Sequence, residues 1–220
     1  MFWDTSFNFT EAPISQSGAW LHNATPWSLV DTSSSVVAGG AAYGTQTGTG
    51  QFDDSYAYLA GVWGANQGGQ VIVHLDGAIS HASTHEIEIL LRVQDSSTQV
   101  TAYECNLAYD GSYAEIVRWN GPLGNFTYVA PQGSGGPGPG VVATGGIFSA
   151  HIIGNTITSF YNGVQLNTAT DNVLTAGNPG IGFFRNNPTG HFDGDYCITH
   201  VRAYDAMPLP VARLSAIILP

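Results

Sequence analysis

Apolar and polar residues alternate in short segments along most of the chain, and Gly, Asn, Pro and Asp separate these segments. The clearest series lies between Gly146 and Asp205. In segment 156–161, apolar and polar residues alternate. The dipeptide Gly154-Asn155 precedes this segment and Asn162-Gly163 follows it. Gly and Asn tolerate positive φ, so both dipeptides suit the tight turns that join antiparallel strands. The pattern predicts two hairpins that share one strand.

The same pattern predicts further strands, both in this region and in the rest of the chain. They are expected at 2–9, 28–37, 41–43, 56–63, 70–75, 85–94, 101–109, 112–120, 147–153, 164–166, 181–184 and 197–204. Helical patterning is limited to one turn near 209–214. So many short strands without helices predict an all-β fold, a two-sheet antiparallel β-sandwich. We expect a single domain over 1–205 and a C-terminal tail, 206–220, that packs on the domain or on a neighbour.

The charge composition of the chain argues against one class of partner, nucleic acid. Only 10% of residues are charged, the net charge is −11, and all five basic residues are Arg. Five Arg residues dispersed along the sequence cannot form the basic surface that binds a phosphate backbone, so nucleic acid is not an expected partner. The uncharged polar surface is typical of a protein displayed outside a cell or particle.

The chain opens without a basic and apolar leader, and no apolar run is long enough to span a membrane. We therefore expect an extracellular or virion-surface location, with no signal peptide in this chain and no membrane insertion. Cys105 and Cys197 lie in separate predicted strands and either pair or remain free thiols.

Several segments, taken in order, resemble the concanavalin A-like lectin/glucanase superfamily in its laminin-G-like jelly-roll branch. The resemblance rests on 62–67, 92–95, Tyr103-Glu104, 154–163, Asp171 and 177–182. It implies two curved sheets with a concave surface on which family members bind or cut glycans. Within 85–94, Glu86, Glu88 and Arg92 alternate with apolar residues and are expected to face that surface.

The glucanases of this superfamily carry a Glu-x-Asp-x-Glu strand, because retaining hydrolysis uses two neighbouring carboxyl groups. Glu86-Ile87-Glu88-Ile89-Leu90 resembles that strand, but Leu90 stands where the general acid would be. We therefore predict no catalytic residue. Glu86 and Glu88 then have a second interpretation as solvated residues of the sheet.

Glycan binding is the activity that the resemblance favours. Trp119 would offer a ring face to a sugar, while Glu86, Glu88, Arg92, Glu104 and Asn120 supply hydrogen bonds; as an alternative, the aromatic residues belong to the core. No cofactor is predicted, although calcium is frequent in such folds. Asp193 and Asp195 are candidate calcium ligands, or simply part of an ordinary turn.

These observations predict a non-catalytic, surface-displayed β-sandwich module, a virion or particle decoration or adhesion protein with glycan binding on its concave face. The expected partners are a glycan or cell-surface polysaccharide and a second copy or neighbouring particle protein. The alternatives are a polysaccharide-degrading enzyme, glucanase-like or lyase-like, and a free secreted lectin or carbohydrate-binding module.

Overall fold

The computed structural model describes residues 1–46, 52, 54–76, 85–185 and 193–205. Within these ranges the chain forms strands and loops without a helix, so nothing described has the form of a membrane-spanning helix. The predicted tail 206–220 and its turn near 209–214 lie outside the described residues.

The described residues form fifteen strands. They are β1 (Phe2–Ser6), β2 (Trp20–Leu21), β3 (Ser28–Ser33), β4 (Ala41–Gly44), β5 (Ser55–Leu59), β6 (Gln67–Leu75), β7 (His85–Asp95), β8 (Val100–Ala108), β9 (Ile116–Gly121), β10 (Phe126–Tyr128), β11 (Ile147–Ile153), β12 (Thr156–Tyr161), β13 (Val164–Thr170), β14 (Asn178–Arg185) and β15 (Tyr196–Asp205). The predicted bounds of β11 and β12 are confirmed, whereas the short strands β2 and β10 were not predicted.

The strands build two sheets. The first has the order β3-β4-β15-β6-β11-β12-β13, with β1 also paired to β15. The second has the order β10-β9-β8-β7-β14-β5, with β2 also paired to β5. Strand β3 additionally pairs in parallel with β5, which joins the two sheets at one edge. All other pairings of named strands are antiparallel, and the two-sheet sandwich predicted from the sequence is confirmed.

The main core lies between the sheets, as the alternation predicts. Ile87 and Ile89 of β7 pack there with Val71 of β6 and Phe148 of β11, all of them buried. The sheets approach closely at Gly69, where an added Cβ would lie 2.9 Å from Cγ2 of Ile89. The second sheet therefore has an inner face in this core and an outer face turned away from the first sheet.

The two cysteines do not pair. Cys105 and Cys197 are both buried and both carry free thiols. They lie on β8 and β15, which belong to different sheets.

Candidate functional site

One half of the outer face is covered by residues 23–27, which we call the strap. Trp27 packs on Trp119 with ring centroids 4.5 Å apart and meets Tyr56 edge-on at 5.8 Å. The backbone N–H of Ala24 donates to the Tyr56 hydroxyl at 2.8 Å, and that hydroxyl donates to Asp95 at 2.9 Å. The strap and the strands beneath it form a second apolar cluster. Only the other half of the outer face is therefore open to a ligand.

The open half contains a cavity that we call the acidic pocket, with about 480 Å³ of empty space including its mouth. Four of its lining residues are acidic, namely Asp54, Glu86, Glu104 and Glu115, and none of the described lining residues is basic. The pocket therefore presents an acidic surface whose charge depends on the pKa values of these groups.

Asn106 organises the floor of the acidic pocket. Its Nδ2 donates to Glu86 Oε2 at 3.0 Å and to Glu104 Oε1 at 2.8 Å. Its Oδ1 accepts the backbone N–H of Glu115 at 2.7 Å. Because that N–H can only donate, it fixes which end of the amide faces the two carboxyl groups.

The remaining oxygens of these two carboxyl groups are also held. The Tyr113 hydroxyl donates to Glu86 Oε1, and Trp119 Nε1 donates to Glu104 Oε2 at 2.5 Å. Glu86 and Glu104 are thus fixed by donors from β8, β9 and the loop between them. The positions of both carboxyl groups do not depend on a ligand.

Glu88 is different, because its side chain is fully buried and neither of its oxygens has a hydrogen-bond partner among the described residues. It lies beside Gly182, its partner on β14. An added Cβ at Gly182 would lie 2.2 Å from Glu88 Oε2. The absence of a side chain at Gly182 therefore makes room for this carboxyl group.

The acidic pocket raises the pKa values of its carboxyl groups. Burial, followed by the charge of Glu104, raises the pKa of Glu86 to about 8. Burial raises the pKa of Glu104 to about 7, although hydrogen bonds from Trp119 and Asn106 lower it. Burial, followed by the charge of Asp54, raises the pKa of Glu88 well above its ordinary value. The interpretation as a solvated sheet residue is wrong for Glu88, which is fully buried, whereas Glu86 is partly exposed where it lines the pocket.

Aromatic rings surround the mouth of the pocket. Phe52 lies 4.8 Å from Phe126 and 6.4 Å from Phe184, and Phe126 meets Tyr128 edge-on at 5.4 Å, measured between ring centroids. Phe52 is exposed and the other three are partly buried. Rings in this arrangement offer apolar faces to a ligand above the acidic floor.

The structure brings four of the six predicted site residues together. Glu86, Glu104 and Trp119 line the acidic pocket, and an oxygen of Glu88 lies within 4.8 Å of oxygens of Glu86 and Glu104. Asn120 follows Trp119 on β9 and therefore points to the opposite face. It donates to Asn125 Oδ1 at 3.1 Å and to Thr127 Oγ1 at 3.0 Å.

Arg92 also lies away from the acidic pocket. The pairing of β7 with β8 shifts register between Leu91 and Gln94, and Arg92 has a φ of 54°. Its guanidinium donates four hydrogen bonds to the backbone carbonyls of Ala65, Leu174 and Gly154. We expected Arg92 to face the concave surface with Glu86 and Glu88. In the structure its guanidinium instead binds these loop carbonyls and does not line the acidic pocket.

The pocket also contains three polar residues that were not among the predicted site residues, namely Asp54, Asn106 and Glu115. Glu104 and Asn106 are two positions apart on β8, so alternation was a usable signal for Asn106. Glu115 lies in the predicted strand 112–120 on the same face as Trp119, so alternation was a usable signal there too. Asp54 lies in a loop next to a strand, where alternation gives no information.

The candidate calcium ligands Asp193 and Asp195 lie outside this site. Asp193 Oδ1 accepts a hydrogen bond from Arg185 Nη1 at 3.0 Å, which forms an ion pair. Within the described residues, the one group of three or more side chains spaced to hold a metal ion consists of Glu86, Glu88 and Glu104.

Comparisons with known proteins give similarity at the level of fold. No family and no curated protein matches the chain. Among solved structures, the carbohydrate-binding module CBM66 from Bacillus subtilis is 13% identical, with a TM-score of 0.53 over 83% of this chain and 91% of that one. The potassium-bound carbohydrate recognition domain of Emp46p is 9% identical, with a TM-score of 0.54 over 92% and 97%.

A β-glucanase from Bacillus licheniformis is 11% identical, with a TM-score of 0.50 over 93% of this chain and 98% of that one. At these identities the likeness is one of architecture. The chain has the jelly-roll fold of concanavalin A-like lectins and glucanases, as the sequence resemblance implied.

Proposed function

We propose that this protein is a non-catalytic carbohydrate-binding module and that the acidic pocket holds the sugar. The observation that carries the proposal is the combination of exposed and partly buried rings at the mouth with fixed oxygen acceptors on the floor. The C–H face of a sugar packs on aromatic rings, while its hydroxyl groups donate to carboxylate oxygens. Two of the similar folds, CBM66 and the Emp46p domain, are named for carbohydrate binding.

The charge of the acidic pocket favours particular sugars. Four acidic residues line it and no described lining residue is basic. Once the pH exceeds the raised pKa values of Glu104 and Glu86, about 7 and about 8, sulfated sugars and uronates would meet like charges in a partly desolvated site, which is unfavourable. We therefore assign neutral or amine-bearing glycans as the ligand class.

The absence of catalysis is supported by Leu90, which packs in the apolar cluster beneath the strap. Its partner in the β7–β8 register is Glu104, so a carboxyl group does lie next to it. That carboxyl group comes from β8, however, so the Glu-x-Asp-x-Glu pattern with which glucanases place nucleophile and acid on one strand is not reproduced on β7.

Binding is tested with a panel of neutral and anionic polysaccharides by affinity electrophoresis and calorimetry. The informative variant is Phe126→Ala, which removes a ring from the mouth. Its matched control is Phe160→Ala, because Phe160 is a partly buried ring on β12 of the other sheet, 5.3 Å from His151. We expect Phe126→Ala to weaken binding about tenfold, or ~1.4 kcal/mol, and Phe160→Ala to leave it unchanged.

Three results would overturn the proposal. They are no binding to any polysaccharide, equal losses in both variants, and preferred binding to anionic chains. Release of new reducing ends from a bound polysaccharide, lost in Glu86→Gln, would favour the hydrolase alternative instead.

We also propose display on the outside of a cell or virion, together with self-association or contact with a neighbouring particle protein. The low content of charged residues supports display. Sedimentation velocity over a range of concentrations tests self-association. A constant monomer would leave the glycan as the partner to be sought.

A further inference from the structure

We propose that Glu86 and Glu104, which line the acidic pocket, and Glu88, which is buried next to them, bind a divalent cation, with Ca²⁺ as the preferred ion. One oxygen from each residue lies within 4.8 Å of the others. Carboxylate oxygens are the ligands of hard cations. This proposal does not depend on glycan binding, because its test measures binding of the metal ion alone.

Glu88 gives the independent indication. Its carboxyl group is fully buried, and both oxygens lack a hydrogen-bond partner among the described residues. An ionised carboxyl group is normally buried only when it is hydrogen-bonded, paired with a cation or bound to a metal. Since Gly182 provides the space that this group fills, its position is specified by the fold. A cation would supply the partner that the described protein atoms do not.

Glu86 and Glu104 are already oriented for this role. Each accepts a hydrogen bond from Nδ2 of Asn106, which bridges them, and a second from Tyr113 or Trp119. Every carboxylate oxygen has a further lone pair with which to ligate a metal. Partners of this kind fix ligand orientation in metal sites, so the two carboxyl groups are pre-organised.

The donor set favours Ca²⁺ over Mg²⁺. Ca²⁺ accepts several oxygen ligands in a flexible geometry, whereas Mg²⁺ demands near-ideal octahedral geometry and keeps several of its waters. Three carboxylate oxygens within 4.8 Å of one another, held in place by the fold, suit the more adaptable ion. Three carboxyl groups leave coordination positions for water or for a bound molecule in the pocket.

The test begins with EDTA-treated, dialysed protein. Ca²⁺, Mg²⁺ and Mn²⁺ are titrated by calorimetry, and Tb³⁺ is titrated as a luminescent Ca²⁺ analogue. Trp119 lies against Glu104 and would sensitise Tb³⁺ emission. We expect one Ca²⁺ per chain, with a dissociation constant on the order of 10⁻⁴–10⁻³ M, and weaker Mg²⁺ binding.

Glu88→Gln and Glu86→Gln are near-isosteric variants, and each should weaken Ca²⁺ binding at least tenfold. The matched control is Asp193→Asn, which alters an acid outside the pocket and should leave the affinity unchanged. Circular dichroism verifies that each variant is folded. The proposal is overturned if the wild-type protein binds none of the three ions up to about 10 mM, tenfold above the expected range. It is equally overturned if both Gln variants bind like the wild type.

Discussion

Arg92 is expected to stabilise the fold rather than to bind a ligand, and its substitution tests this directly. Its side chain is 2% exposed, and its four hydrogen bonds join three loops through the carbonyls of Ala65, Gly154 and Leu174. A hydrogen bond from a charged donor contributes about 1.5–3 kcal/mol. Water can reach these loop carbonyls once the guanidinium is gone, so we take a low total, about 3 kcal/mol for Arg92→Met.

Urea unfolding followed by tryptophan fluorescence measures this loss, which should also lower Tm by roughly 6–12 °C for a chain of this size. Arg92→Lys keeps the charge but lacks the planar fork, so an intermediate loss is expected. Glycan affinity of the folded Arg92→Lys protein should equal that of the wild type. A loss of stability below about 1 kcal/mol for Arg92→Met would refute the structural role. A selective loss of glycan binding would restore Arg92 as a ligand residue.

Three further predictions concern other parts of the second sheet and the core. Gly182→Ala should displace the Glu88 carboxyl group, whose Oε2 would lie 2.2 Å from the new Cβ, and weaken Ca²⁺ binding about tenfold in calorimetry. Burial raises the pKa of Cys105 and raises that of Cys197 to about 12, so iodoacetamide near pH 8 should label neither thiol until urea unfolds the chain, as mass spectrometry would show. Asp95→Ala removes the acceptor of two tyrosine hydroxyls beneath the strap and should cost about 2 kcal/mol in urea unfolding.

The parts of the fold that local chemistry determines were predictable. Strands β11 and β12 are joined by Gly154-Asn155, and β12 and β13 by Asn162-Gly163. Gly154, Asn162 and Gly163 all have positive φ, as such turns require. Strands β2 and β10 were missed because two or three residues are too few for alternation to be recognised.

The position of Arg92 could not be read from alternation. A strict period of two places it on the same face as Glu88, but the register shift between Leu91 and Gln94 ends that period. Positive φ at a bulge is usually marked by Gly or Asn, and Arg gives no such signal. At Trp119 and Asn120, by contrast, alternation is sufficient, because a period of two places adjacent residues on opposite faces of the sheet.

The composition of the acidic pocket depends on pairing between strands. Considered along β7 alone, Leu90 leaves the carboxyl pattern incomplete. The β7–β8 register places Glu104 opposite Leu90 and Asn106 opposite Glu88. Residues that are far apart in sequence therefore complete the cluster, and no spacing within one strand contains that information.

The strap and the acidic pocket are linked through Trp119. One side of its ring packs on Trp27 of the strap, and its Nε1 donates to Glu104 on the floor. The apolar half of the outer face therefore holds the donor that orients an acid in the open half. Trp27 also lines the acidic pocket, so the strap both orients Trp119 and forms part of the wall against which a ligand would lie.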